Sequence, residues 1–283
     1  MREIRPASAD APPRSEATWR RRRPARGRAG RIGLLLGSAP LLLVLLLPLA
    51  ALILRVPLRD VLASVATREA RQAIGLSLST SLISVALAIV GGTPLALLLA
   101  RGRFRGRTAL DTLLDLPMVL PPSVAGIALL VAFGRRGLLG QQLQLLGIEL
   151  PFTMAAVIVA QVFVAAPFYV KAAANGFAAV DRDLEAAAAL DGAAPRQVFR
   201  FITAPLAWPA LLGGAVMTWA RALGEFGATI IFAGNFVGRT QTMPLAIYQG
   251  FEQDLTLALS LAVVLLGVSF AVLGVMKGLL RQR

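Results

Sequence analysis

The sequence has no cysteine and no histidine among its 283 residues, and each absence removes a class of chemistry. Without thiols there is no disulfide, thiolate nucleophile or cysteine-ligated metal. Without imidazoles there is no histidine general base, no haem-ligating histidine and no typical zinc site. The missing cysteines say nothing about redox compartment. Lysine is nearly absent as well. Only Lys171 and Lys277 occur, and neither closes a G-x-x-x-x-G-K-[ST] loop able to cradle nucleotide phosphates. With no cluster of catalytic side chains either, the chain reads as a non-enzyme with no metal site and no cofactor. Any ATP hydrolysis that drives it belongs to a separate subunit.

Long unbroken apolar runs are what the sequence does have. Charge-free stretches cover 32–54, 72–100, 116–134, 150–170, 201–220 and 255–276. A helix crossing the hydrocarbon core needs about 20 apolar residues at a rise near 1.5 Å each, and all six runs approach or exceed that length. One such run fits a buried helix of a soluble protein, whereas six along one chain point to an all-α, polytopic membrane protein. The expected spans lie near 32–54, 72–100, 116–134, 152–178, 208–233 and 255–277. Pro40, Pro48, Pro94, Pro121, Pro122 and Pro167 fall inside them and predict kinks, tolerated where neighbours satisfy the freed carbonyls. The mildly apolar stretch 138–150 predicts a short surface helix.

Charge placement sets an orientation. The formal net charge is +14, which on a soluble protein would raise the question of nucleic acid. Here ten of the 29 basic residues lie in the first 31 positions and others flank the apolar runs, the pattern of topology signals. Segments 1–31, 101–115, 181–205 and 277–283 carry 20 basic residues, against 7 in the intervening outer segments. The positive-inside rule then puts both termini in the cytoplasm. Residues 1–31, rich in Pro, Ala and Arg without apolar periodicity, predict a disordered cytoplasmic tail before a membrane domain over 32–283. The first apolar run is too long for a signal peptide and lacks a clear cleavage site, so it reads as a retained span. The loop Arg101-Gly-Arg-Phe-Arg-Gly-Arg107 reads as a topology anchor against lipid phosphates.

The cytoplasmic arm 181–205 is longer than a connection requires. Asp181 suits an N-cap, and Asp183 and Glu185 suit the positive end of a helix dipole. Gly192 suits a left-handed stop, and Pro195 the first turn of a second helix. Two short helices joined by a glycine turn are expected, with Pro205 and Pro209 punctuating the entry to span five. Ala186, Ala187, Ala188 and Ala189 give the first helix a smooth surface that fits a partner's cleft; an amphipathic helix lying on the membrane is the bland alternative.

Glu185-Ala-Ala, Gly192, Ile202 and Pro205 resemble the EAA loop of permease subunits in ABC importers, although the alanine run allows a register one position along. The resemblance implies a type I ABC importer permease fold in a bacterial or archaeal cell (inner) membrane. It also implies a homodimer working with two copies of an ATPase subunit and an external binding protein. The arm would then couple the ATPase to spans four and five through Glu185, Ala186, Ala187, Ala188, Gly192, Ile202 and Pro205. A wider stretch is similar to the molybdate permease branch. It includes Leu120-Pro-Pro-Ser-Val124, Phe133-Gly-Arg-Arg-Gly137, Arg221-Ala-Leu-Gly-Glu-Phe-Gly-Ala228, Phe232-Ala-Gly-Asn235 and Gly238-Arg-Thr-Gln-Thr-Met-Pro-Leu245. The Ala-Leu-Gly-Glu-Phe-Gly core is shared with sulfate permeases, and tungstate is not separable from molybdate on these residues.

Candidate path residues carry two readings each. Arg221 and Glu225 sit four residues apart around Gly224, in span five, and form either a gate that attracts an anion or a structural ion pair. An ion-coupled carrier is the rival mechanism, and on this reading it has Glu225 as its sole deep carboxylate. Ser77, Ser81 and Ser84 share a face of span two, suited to close helix packing or to a solute path. Arg239, Thr240 and Thr242 are placed to contact a binding protein or the pore mouth, or to close the turn into span six.

Overall fold

The computed structural model describes residues 28–281. The expected disordered tail falls on residues outside these, except for its last four positions, which are already helical. All regular structure among the described residues is helical. Two compact units divide at Ala51. The first holds most of α1 (Arg28–Arg55), in which Pro40 and Pro48 lie without ending the helix. From Leu36 onward it presents a leucine-rich, largely exposed surface.

The second unit begins with α2 (Leu58–Val65) and α3 (Arg68–Arg101). Thr67 starts α3 by accepting from Ala70 N at 3.3 Å, the usual use of a threonine N-cap. After a loop turned by Gly106 at φ 91° come α4 (Arg107–Val119) and α5 (Pro122–Phe133). These two meet at 116°. The third span, expected near 116–134 with a kink at Pro121 and Pro122, is therefore a broken helix pair reaching back to Arg107. The cause is Leu120-Pro121-Pro122: neither proline has an N–H to continue the ladder, and a residue before proline is pushed out of the α region. The short α6 (Gly140–Leu145) fills part of the expected surface helix.

Next come α7 (Met154–Ala179) and the arm helix α8 (Arg182–Leu190), followed by α9 (Pro195–Val198), a π-helical turn over Phe199–Thr203 and α10 (Ala204–Leu223). The arm's second helix is thus no separate piece. It runs without interruption from Pro195 to Leu223 as one span-length helix. The π turn directly precedes Pro205 and takes up the lost proline N–H, so Pro205 does not break the helix. The chain closes with α11 (Gly227–Phe232), α12 (Met243–Gln253) and α13 (Leu255–Arg281). Among the described residues five helices are long and apolar enough to cross a membrane, or six with the α4–α5 pair counted as one.

The core of the second unit is α3, α7 and α10 in close contact, and small residues bring them together. A Cβ on Gly214 would stand 2.7 Å from Ala172 Cβ, and one on Gly176 would stand 2.5 Å from Ala210 Cβ. In a bilayer, where apolar burial drives little, such close backbone approach supplies the packing energy. Polar links pin the register. Ser84 Oγ donates to Gln161 Oε1 at 3.0 Å, and Thr93 Oγ1 meets Tyr169 OH at 2.7 Å. At the other end α5 stacks on α11, where a Cβ on Gly227 would stand 2.5 Å from Pro122 Cβ.

Candidate functional site

The arm is built from its caps outward. Asp181 Oδ1 accepts from Asp183 N at 3.0 Å and opens α8. At the far end Ala193 N donates to Ala188 O at 3.0 Å while Gly192 adopts φ 88°, the bond and conformation of a Schellman stop. Ala194 N donates to Gln197 Oε1 at 2.7 Å where the chain re-enters a helix at Pro195. No residue of α8 is buried. Ala186 and Ala187 are exposed, Ala188 is half-buried, and Leu184 and Leu190 are 50% and 89% exposed. The arm therefore offers a small-residue surface edged by two leucines.

Glu185 alone turns back toward the spanning helices. Its Oε1 accepts from Arg101 Nη2 at 2.9 Å and from Thr203 Oγ1 at 2.6 Å. Ile202 is half-buried beside Thr203 in the π turn, and Pro205 is exposed one turn further on. Phe177 and Phe199 meet with ring centroids 6.1 Å apart, joining the end of α7 to the arm's second helix. Sequence reasoning gave Arg101 only an anchoring role and gave Thr203 none. Their partner lies 84 and 18 positions away, and no local pattern reports such a contact.

A second constellation occupies the break between α10 and α11. Gly224 caps α10, and Glu225 follows in the gap between the helices. Glu225 Oε2 lies 2.6 Å from Arg221 Nη1, while its Oε1 accepts from Ala228 N at 2.8 Å in the first turn of α11. The carboxylate is 1% exposed. It neutralises one charge and satisfies one of the orphan donors that open a helix.

The remaining candidates hold local structure. Ser77 is buried, and its Oγ accepts from Met243 N at 2.7 Å, which caps α12 from a different helix. Ser81 is buried too and donates to Leu78 O at 3.1 Å within its own helix. Thr240 is fully buried; its Oγ1 accepts from Phe236 N at 3.1 Å and donates to Gly234 O at 3.3 Å, tying the turn before α12. Thr242 is buried at the N-cap of α12, while Arg239 is exposed. Structure and sequence differ on the intramembrane acids. Because the third span reaches back to Arg107, it carries Asp111 and Asp115, and both pair with Lys171 of α7, at 2.6 and 2.9 Å. Glu225 is therefore joined by two acids of the broken third span, and all three are paired. No group of three or more metal-ligating side chains occurs among the described residues.

Residues 92–282 match the model of a family described as binding-protein-dependent transport system inner membrane component. The molybdenum transport system permease protein ModB of Mycobacterium tuberculosis is 43% identical over 231 residues, covering 81% of this chain and 87% of that protein. The sulfate transport system permease protein CysW of Synechococcus elongatus is 36% identical over 217 residues, covering 76% of each. Among solved structures, a bacterial alginate ABC transporter in complex with an alginate-pentasaccharide-bound periplasmic protein is similar in fold. Its TM-score is 0.67 at 17% identity, covering 87% of this chain and 91% of that one.

Proposed function

Because this chain belongs to the family of binding-protein-dependent transport system inner membrane components, we propose that it forms the membrane pathway of an ATP-driven molybdate importer. The fold is that of a type I ABC importer permease. The cargo rests on the higher identity to the mycobacterial molybdenum permease than to the cyanobacterial sulfate permease over comparable lengths. The proposed assembly is a homodimer with two ATPase subunits on the arm side and a molybdate-binding protein on the opposite face. It sits in the cell membrane with both termini in the cytoplasm, as the basic residues predict.

The arm carries this reading. A helix with no buried residue, smooth in its alanines and flanked by exposed Leu184 and Leu190, offers apolar area to a cleft outside the chain. Its one inward side chain, Glu185, is bonded to the spanning helices. An ATPase that closes on ATP would displace α8. Alternating access then follows as α7 and the continuous helix from Pro195 to Leu223 tilt together. Gly192 supplies the turn, and Ile202 and Pro205 lie where the arm becomes a span.

In the same reading Arg221, Gly224 and Glu225 form the hinge of the gate, with the ion pair holding the break in α10–α11. Ser77, Ser81, Thr240 and Thr242 shape the wall beside it, since all four are buried. A dianion that passes quickly meets hydroxyls and backbone N–H groups better than a tight charge clamp. The test is reconstitution with the cognate ATPase and binding protein in proteoliposomes, with ATP hydrolysis read against molybdate, tungstate and sulfate. Molybdate-loaded binding protein is expected to stimulate hydrolysis more than sulfate-loaded protein. Equal stimulation by sulfate overturns the cargo, and uptake independent of the binding protein favours an ion-coupled carrier instead.

A further inference from the structure

Arg101 is the last residue of α3, and its guanidinium reaches two other elements. Nη2 donates to Glu185 Oε1 at 2.9 Å and to Val180 O, at the C-terminal end of α7, at 3.3 Å. The same Glu185 oxygen accepts from Thr203 Oγ1 in the π turn that heads α10. One carboxylate oxygen thus gathers the ends of α3, α8 and α10, and one guanidinium nitrogen adds the end of α7. Both charged side chains are 22% exposed and Thr203 is buried, so solvent screens this cluster less than a surface pair.

Apolar packing joins the end of α3 to the arm's second helix, where Phe199 lies against the cluster that holds Ala96 and Leu99, but that cluster includes no residue of α8. An open groove of about 390 Å³ lies between the arm and α3, lined among others by Leu97, Ala189 and Val198. The arm reaches α10 through continuous backbone. α8 reaches the end of α3 across that space through the Arg101–Glu185 contact, the one polar connection between them among the described residues. The four basic residues of the 101–107 loop therefore differ in role. Arg103, Arg105 and Arg107 are exposed and free to face lipid phosphates, whereas Arg101 is engaged inward.

We propose that Arg101 is a positioning residue of the coupling machinery, which makes α3 a third helix driven by the arm alongside α7 and α10. A displacement of α8 pulls the α3 end through the carboxylate, so three spans move as one body. The proposal rests on the arm's being the element that an ATPase moves. It adds which helices follow and the atom through which one of them is held.

The test uses the whole transporter, with ATPase and binding protein, in proteoliposomes, and reads molybdate imported per ATP hydrolysed. Arg101→Gln and Glu185→Gln are each expected to lower that ratio roughly five- to tenfold, the range of a modest coupling energy. The double variant is expected to be no worse than either single one, because both remove the same contact. Arg101→Lys is expected to recover part of the ratio, since an ammonium reaches Glu185 but lacks the planar fork. Thr203→Val removes one hydroxyl, keeps the shape, and is expected to lower the ratio even where an Arg101 variant fails to reach the membrane. A wild-type ratio in Arg101→Gln, a wild-type ratio in Thr203→Val, or a double variant whose losses multiply overturns the proposal. If the unaltered assembly shows no ATP-driven uptake, the transport reading itself fails, and that result is distinct from an unaltered assembly that works and an Arg101 variant that works equally well.

Discussion

Replacing Glu225 separates two effects that the structure superimposes on one side chain. Glu225→Ala removes the acceptor of Ala228 N, a fully buried donor, and an unmade buried hydrogen bond costs about 1–3 kcal/mol. It also strands Arg221. Breaking a fully buried ion pair costs about 3–5 kcal/mol, but the Arg221 side chain is 30% exposed, so about 2 kcal/mol is the reasonable share. The sum is a loss of about 3–5 kcal/mol. Glu225→Gln keeps an oxygen for Ala228 N and loses only the charge, for about 1–3 kcal/mol. Arg221→Met combined with Glu225→Met removes both charges, leaves no stranded cation, and is expected to be more stable than Glu225→Ala. Thermal unfolding in detergent measures the series, and vesicle uptake measures its function. If the pair holds the hinge without touching the anion, the double Met variant retains uptake. Equal destabilisation by Ala and Gln would refute the capping role. Loss of uptake in a stable double variant would mean that the charges act on the anion itself.

Three further outcomes follow from the packing. Gly214→Leu overfills the α7–α10 crossing, where even a Cβ meets Ala172 at 2.7 Å. It is expected to cost at least about 1–3 kcal/mol and to lower the melting temperature, and an unchanged melting temperature contradicts it. Ser77→Ala leaves the buried Met243 N–H unpaired and is expected to cost about 1–3 kcal/mol, read by faster hydrogen exchange at the start of α12; unchanged exchange there would remove the capping role of Ser77. Lys171→Met releases Asp111 and Asp115 of α4. Since the chain has no native cysteine, a single Leu114→Cys probe reports the result, and maleimide labelling is expected to be faster in the Lys171→Met background. An unchanged labelling rate would mean that apolar contacts alone hold α4 to α7.

The elements legible in the sequence were those whose signal is local. The runs 32–54, 72–100, 150–170 and 255–276 announce α1, α3, α7 and α13 because length and absence of charge suffice. Asp181, Gly192 and Pro195 announce the arm because caps act within one turn. Three features escaped because packing between distant segments decides them, and a fourth because charge was used as a boundary. The 116° turn at Leu120–Pro121 is a tertiary choice between a kink and a break, and Pro-Pro permits both. The continuity of Pro195–Leu223 depends on a π turn that no residue type marks. Arg101 looks like any other arginine of a basic loop until the fold brings Glu185 to it. Asp111 and Asp115 lay outside the charge-free run that defined span three, so their pairing with Lys171 was invisible to a rule that searches for missing charge.

The central claim is that the arm receives another subunit's work, and the most direct measurement is ATP-driven molybdate uptake by vesicles carrying arm variants. Glu185→Lys places a cation against Arg101 in place of the carboxylate that joins the arm to the spans. Gly192→Pro denies the turn its φ of 88°, since proline is fixed near −65°. Both are expected to insert and to be recovered from the membrane at normal levels while uptake falls to background. Normal uptake by either variant, with the chain inserted, would contradict the account.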